Sequence, residues 1–97
     1  MRVVYSPRSV VDLRSISGYL KPRSPQGARR VRATILATIS QLLAFPRVGT
    51  RQTTPGVYKK LTRKYDFLIY YTVDEQSEII FIITIRHSAR QREFEDA

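Results

Sequence analysis

Glu78-Ile79-Ile80-Phe81-Ile82-Ile83-Thr84-Ile85-Arg86 is the stretch that decides the fold. Its apolar residues fill both parities of a two-residue period, so it reads as a strand with two apolar faces. Such a strand is either central and covered on both sides, or open toward a partner. Just upstream, Asp74-Glu75-Gln76-Ser77 is a polar hairpin connection to Phe67–Val73, a strand rich in aromatic and β-branched residues. Val57–Leu61 reads as a third strand, and Pro46–Gly56 before it as a loop carrying the turn pair Pro55-Gly56. The second half of the chain is thus a three-stranded antiparallel meander.

The first half changes period. Arg2–Tyr5 is a short β-branched and aromatic strand, followed by Ser6-Pro7, an N-cap and an N1 proline. Val10, Leu13, Ile16 and Leu20 then recur at helical spacing, with Gly18 as a weak point and a stop near Lys21-Pro22. Ser24-Pro25 starts a second helix, whose stripe is Ala28, Val31, Ile35, Ile39 and Leu42, broadened by Leu36 and Leu43, and which ends at Phe45-Pro46. Two helices joined by so short a turn form an antiparallel hairpin. Helices grouped together and strands grouped together predict an α+β fold, residues 1–97 as one domain, with the hairpin on one face of a small sheet. The expected core is Val4, Leu13, Ile16, Leu20, Val31, Ile35, Ile39, Leu42, Ile69, Tyr71, Ile80 and Ile82. The polar tail, Ser88–Ala97, is a short helix or a frayed end.

Composition narrows the function. The 97 residues are 42% apolar, which suffices for a core. No cysteine and a single histidine, His87, exclude disulfides and thiol catalysis and leave no metal or cofactor site to expect. The N-terminus carries no apolar leader and no stretch has the length of a membrane span, so the expectation is a cytoplasmic protein. Residues 1–50 hold nine basic side chains against the single acid Asp12, while residues 51–97 are nearly balanced, with eight basic and seven acidic. A net charge of +9 distributed so unevenly implies an anionic partner. Arg29, Arg30 and Arg32 carry the strongest signal. They sit early on a helix, where the dipole disfavours cations, with Arg23 just before and no acid on the same helix. Such a cluster suits carboxylates or phosphates. Of the six tyrosines, Tyr58 and Tyr65 are the two expected at a binding surface, the others in the core and sheet.

An ordered set of short motifs now adds a resemblance. Tyr5-Ser6-Pro7-Arg8 with Asp12-Leu13, Tyr19-Leu20, Ser24-Pro25 and Ala28-Arg29-Arg30-Val31 resembles the ParE branch of the RelE/ParE toxins. Phe45-Pro46-Arg47-Val48-Gly49, Pro55-Gly56-Val57, Tyr70-Tyr71-Thr72-Val73 and Ile85-Arg86-His87-Ser88-Ala89-Arg90 continue it through nearly the whole chain. The resemblance implies the toxin of a type II toxin–antitoxin pair, neutralised by a small cognate antitoxin and contacting DNA mainly through it. For the ParE branch it further implies DNA gyrase as target, trapped on cleaved DNA, with no enzymatic activity of the toxin itself. Arg23, Arg29, Arg30 and Arg32 are then candidates for antitoxin binding, and Lys59, Lys60, Arg86, Arg90 and Arg92 for target binding. The alternative within the family is a ribosome-dependent mRNA endoribonuclease, which would use Arg63, Arg86 and His87 as cations and general acid or base. Ribonuclease members place a Tyr near the C-terminus, whereas here Ser88 follows His87 and the tail offers Phe94. A third reading is an inactive antitoxin-binding module.

Overall fold

A computed structural model describes residues 1–90, except for the side chain of Arg90. The elements follow as β1 (Arg2–Tyr5), α1 (Pro7–Leu20), α2 (Pro25–Ala44), β2 (Thr50–Arg51), β3 (Val57–Leu61), β4 (Phe67–Asp74) and β5 (Ile79–His87), closed by a 3₁₀ turn over Ser88–Arg90. The strands form one mixed sheet in the order β1-β5-β4-β3-β2. The meander β3-β4-β5 is antiparallel, and β1 returns to pair parallel with β5. The added strand β2 lies in the segment read as a loop. Its two residues pair with Tyr58 and Lys59, too short a run to leave a periodic signal.

Both helices start as their caps dictate. The Ser6 hydroxyl accepts from the Ser9 amide at 2.9 Å and donates to the Ile83 carbonyl at 2.6 Å, so one side chain caps α1 and ties it to β5. The Ser24 hydroxyl accepts from the Gly27 amide at 2.9 Å. The main core lies between the helices and one face of the sheet. It joins Val31, Ile35, Ile39 and Leu42 to Tyr58, Phe67, Ile69, Tyr71, Ile80, Ile82 and Ile85, with Leu13, Ile16 and Leu20 half-buried at its side. Fully burying one such aliphatic side chain contributes about 1.5–3 kcal/mol, so this layer dominates the stability. Val4 is a correction. Parallel pairing sets Val3 opposite Ile80 and Tyr5 opposite Ile82, so those two face the helices and Val4 lies on the other side.

A β-bulge controls the rest of β5. Tyr71 pairs with Ile82 but Tyr70 pairs with Thr84, leaving Ile83 as the extra residue. The bulge reverses the alternation, so Ile80, Ile82 and Ile85 all face the helices. Ile83 joins Val57, Leu68 and Tyr70 in a second apolar cluster on the opposite face. The two-sided apolar character of this strand thus corresponds to two separate clusters.

Candidate functional site

A groove of about 920 Å³ opens where α1 leaves the sheet. Ile16, Leu20, Val31, Phe67 and Ile85 give it apolar walls, and Arg8, Asp12, Arg86 and His87 border it. Its position follows from the shortness of β1, which covers β5 only from Ile79 to Ile82. Beyond that point α1 takes over the strand edge. Asp12 Oδ2 accepts from the Ile85 amide at 3.0 Å and from the Thr84 hydroxyl at 2.5 Å, as a neighbouring strand would. Asp12 Oδ1 receives Arg8 Nε at 3.4 Å, and Arg86 Nε donates to Thr84 Oγ1 at 3.4 Å. The only acid of the first half therefore organises the basic rim of the groove. Its position one turn into an otherwise basic helix was the available signal.

The β3–β4 hairpin contributes from the far side. Tyr65 and Asp66 are consecutive residues at positive φ, 70° and 56°, which costs of order 1 kcal/mol each for non-glycine residues. The turn is held because the Thr62 amide donates to the Phe67 carbonyl and the Phe67 amide to Thr62 Oγ1. It brings Tyr65, 41% exposed, to the groove. Tyr19 stands at the other end, 60% exposed, with the Arg23 guanidinium 3.9 Å above its ring.

Arg63, Arg86 and His87 gather at one end of the sheet, but only Arg86 and His87 border the groove. Leu68 pairs with Arg86 and Phe67 with His87, so these consecutive residues leave β5 in opposite directions. The His87 ring packs edge-on against Phe67 with centroids 5.4 Å apart, and its Nδ1 accepts from the Ala89 amide at 3.2 Å. Arg63 is exposed on the hairpin and does not line the groove.

The other basic candidates divide similarly. Lys59 pairs with Tyr70 on the face away from the helices, Lys60 with Ile69 on the helix side. Lys59 and Arg86 share a face, their Cα atoms about 12 Å apart from strand spacing and rise. Arg92 lies outside the described residues, as does the Arg90 side chain. On α2, Arg29, Arg30 and Arg32 are all exposed but do not form one patch. Arg29 and Arg32 share a flank with Leu36 and Leu43, whereas Arg30 points about 100° from Arg29 and about 160° from Arg32. Arg32 approaches Tyr5, whose phenol is pushed up by burial and partly offset by that guanidinium. Arg23 donates to the Tyr19 carbonyl at 2.7 Å, closing the end of α1.

Tyr58 is mostly buried, stacked on Tyr71 with centroids 5.5 Å apart because its strand parity faces the helices, and it also lines a small cradle at the β2 edge. Among the described residues, no cluster of metal-ligating side chains occurs and no helix is long and apolar enough to cross a membrane.

The whole is a short basic strand–helix–helix–meander chain with an apolar groove rimmed by arginine at the end of β5. The family model described as ParE toxin of type II toxin-antitoxin system, parDE, matches residues 3–92, and the chain belongs to that family. Among solved structures it is similar to the chromosomal ParDE toxin–antitoxin system from P. aeruginosa, with a TM-score of 0.77 and 20% identity over 90% of this chain and 95% of that one. The intact E. coli RelBE toxin–antitoxin complex gives a TM-score of 0.69 and 18% identity over 91% and 96% of the two chains. The isolated E. coli RelE toxin gives 0.69 and 17% over 93% and 86%. At such identities the likeness is one of fold. A comparison with curated proteins finds no match.

Proposed function

We propose that this toxin acts in the cytoplasm by engaging DNA gyrase, and that an acidic antitoxin holds it inactive through the groove and the arginine flank of α2. The observation that carries the choice of target is that His87 and Arg86 are each engaged by neighbouring groups of the fold. RNA cleavage needs a base, an acid and a cation around one phosphate. Here the only histidine is engaged by Phe67 and the Ala89 amide, and Arg86, which borders the same groove, is engaged by Thr84. An apolar groove with a basic rim suits an amphipathic acidic segment, which supports the antitoxin reading. The shared face of Lys59 and Arg86 is the feature that favours the ribosome-dependent endoribonuclease as the second reading.

Purified toxin added separately to gyrase with supercoiled plasmid and to translating ribosomes tests the target. Cleaved DNA complexes with intact mRNA are expected. Cut mRNA with unaffected plasmid would overturn the proposal, and activity in neither assay would leave an antitoxin-binding module. The variant His87→Ala adds a second readout. Loss of a general acid or base costs on the order of a hundred- to ten-thousand-fold in rate. Toxicity in cells should therefore survive His87→Ala, provided the variant melts like the parent and binds antitoxin.

A further inference from the structure

The edge of the sheet farthest from β1 carries a second basic site. Strand pairing sets Arg51 on β2 directly across from Tyr58 on β3, and the two residues share the wall of a cradle of about 270 Å³. Gln52, Pro55, Gly56 and Val57 close the rest of it. Arg47, in the turn after α2, does not line the cradle but reaches the Tyr58 phenol at its rim. The Gly49 amide donates to the Tyr71 hydroxyl at 3.0 Å, and Tyr71 stacks on Tyr58, so the turn is fastened to the tyrosine pair. A Cβ on Gly49 would lie 2.6 Å from the Tyr71 hydroxyl and 2.8 Å from the Lys59 carbonyl, so only glycine lets the turn come this close. Both guanidiniums bear on the Tyr58 phenol, whose pKa is lowered by Arg51 first and then by Arg47.

The charges at this edge do not balance. Glu75, from the β4–β5 turn, pairs with Arg47. Arg51 meets no carboxylate among the described residues. Two guanidiniums held around one phenol repel unless an anion lies between them. We infer that Arg47, Arg51 and Tyr58 form an anion subsite for a phosphodiester of a nucleic-acid backbone, so that the toxin itself touches nucleic acid. A phosphodiester presents two non-bridging oxygens on a tetrahedral centre, enough for two guanidinium forks and a hydroxyl donor. A single carboxylate, as Glu75 shows, satisfies Arg47 and leaves Arg51 unmatched. The site lies across the sheet from the groove and stands independently of the toxin's target.

Fluorescence anisotropy of the full chain with a labelled DNA duplex, and separately with a labelled single-stranded RNA, tests the assignment. In about 50 mM salt, Arg51→Ala and Arg47→Ala should each weaken binding about three- to tenfold and lower the salt slope by about one. Tyr58→Phe, which keeps the ring stack, should weaken it about twofold, and Arg51→Lys should fall between parent and Arg51→Ala. Arg30→Ala removes the same charge from the far side of α2 and serves as the reference. Whichever probe responds identifies the source of the phosphate. If Arg47→Ala and Arg51→Ala match Arg30→Ala with both probes while melting like the parent, the site is not a phosphate site. A larger effect on an acidic peptide than on either nucleic acid would overturn the assignment as well.

Discussion

Asp12 shows how much one side chain does in a fold of this size. Its carboxylate replaces the strand that β5 lacks beyond Ile82, taking the Ile85 amide and the Thr84 hydroxyl while receiving Arg8. Asp12→Ala leaves the amide of buried Ile85 and the hydroxyl of buried Thr84 without an acceptor, which costs about 1–3 kcal/mol per orphaned group. Asp12→Asn keeps one carbonyl acceptor at the edge and should cost less than half as much. Urea unfolding followed by circular dichroism measures both. If the alanine variant unfolded at the parent's midpoint, water would be serving the edge as well as the carboxylate does.

At the scale of elements, the two helices differ in how well their sequences suit them. Gly18 lies inside α1, and a Cβ built there meets nothing within 4 Å. Gly18→Ala should therefore stabilise the protein by about 0.5–1 kcal/mol, through helix propensity and a less flexible unfolded chain. Ser24 caps α2 through the Gly27 amide, and Ser24→Ala should cost about 1 kcal/mol. The two sites are far enough apart for the changes to add, so the double variant should return close to the parent. A thermal melt of all three proteins settles both signs. β5 is the other instructive element. Without its bulge, Thr84 and Arg86 would face the helices in place of Ile85, and a charge would replace that apolar wall of the groove.

For the whole molecule the governing fact is charge. The net +9 is concentrated on the first half, and binding of an acidic partner removes the resulting self-repulsion. A saturating antitoxin at about 100 times its dissociation constant should stabilise the toxin by about 2.7 kcal/mol. For a domain near 100 residues that corresponds to a rise in Tm of roughly 10–20 °C. An unchanged Tm would refute the antitoxin reading. The geometry of α2 sharpens the test. Arg29 and Arg32 share the flank that also carries Leu36 and Leu43, so Arg29→Ala/Arg32→Ala should slow association with the antitoxin and flatten its salt dependence. Arg30→Ala, on the far side of the helix, should leave the association rate within about twofold of the parent.

The α+β order, the helix starts at Ser6 and Ser24, the meander and most of the core were legible because they rest on local rules. Caps, prolines and hydrophobic periods act over a few residues, so the chain carries them in plain view. The arginines of α2 and the basic first half were legible for the same reason, since charge is written residue by residue. What lay beyond reach depended on pairing between distant segments. The parallel return of β1 put Val3 and Tyr5, not Val4, on the core. The bulge at Ile83 put Ile85 and His87 on the helix side in place of Arg86, and Tyr58 turned inward with the parity of β3. Asp12 and Tyr65 became site residues only when α1 and the β3–β4 hairpin met at the end of β5. Register and bulges shift a side chain from one face to the other by a single residue. A one-residue choice of that kind is made by the packing of the whole sheet and not by any stretch of the chain alone.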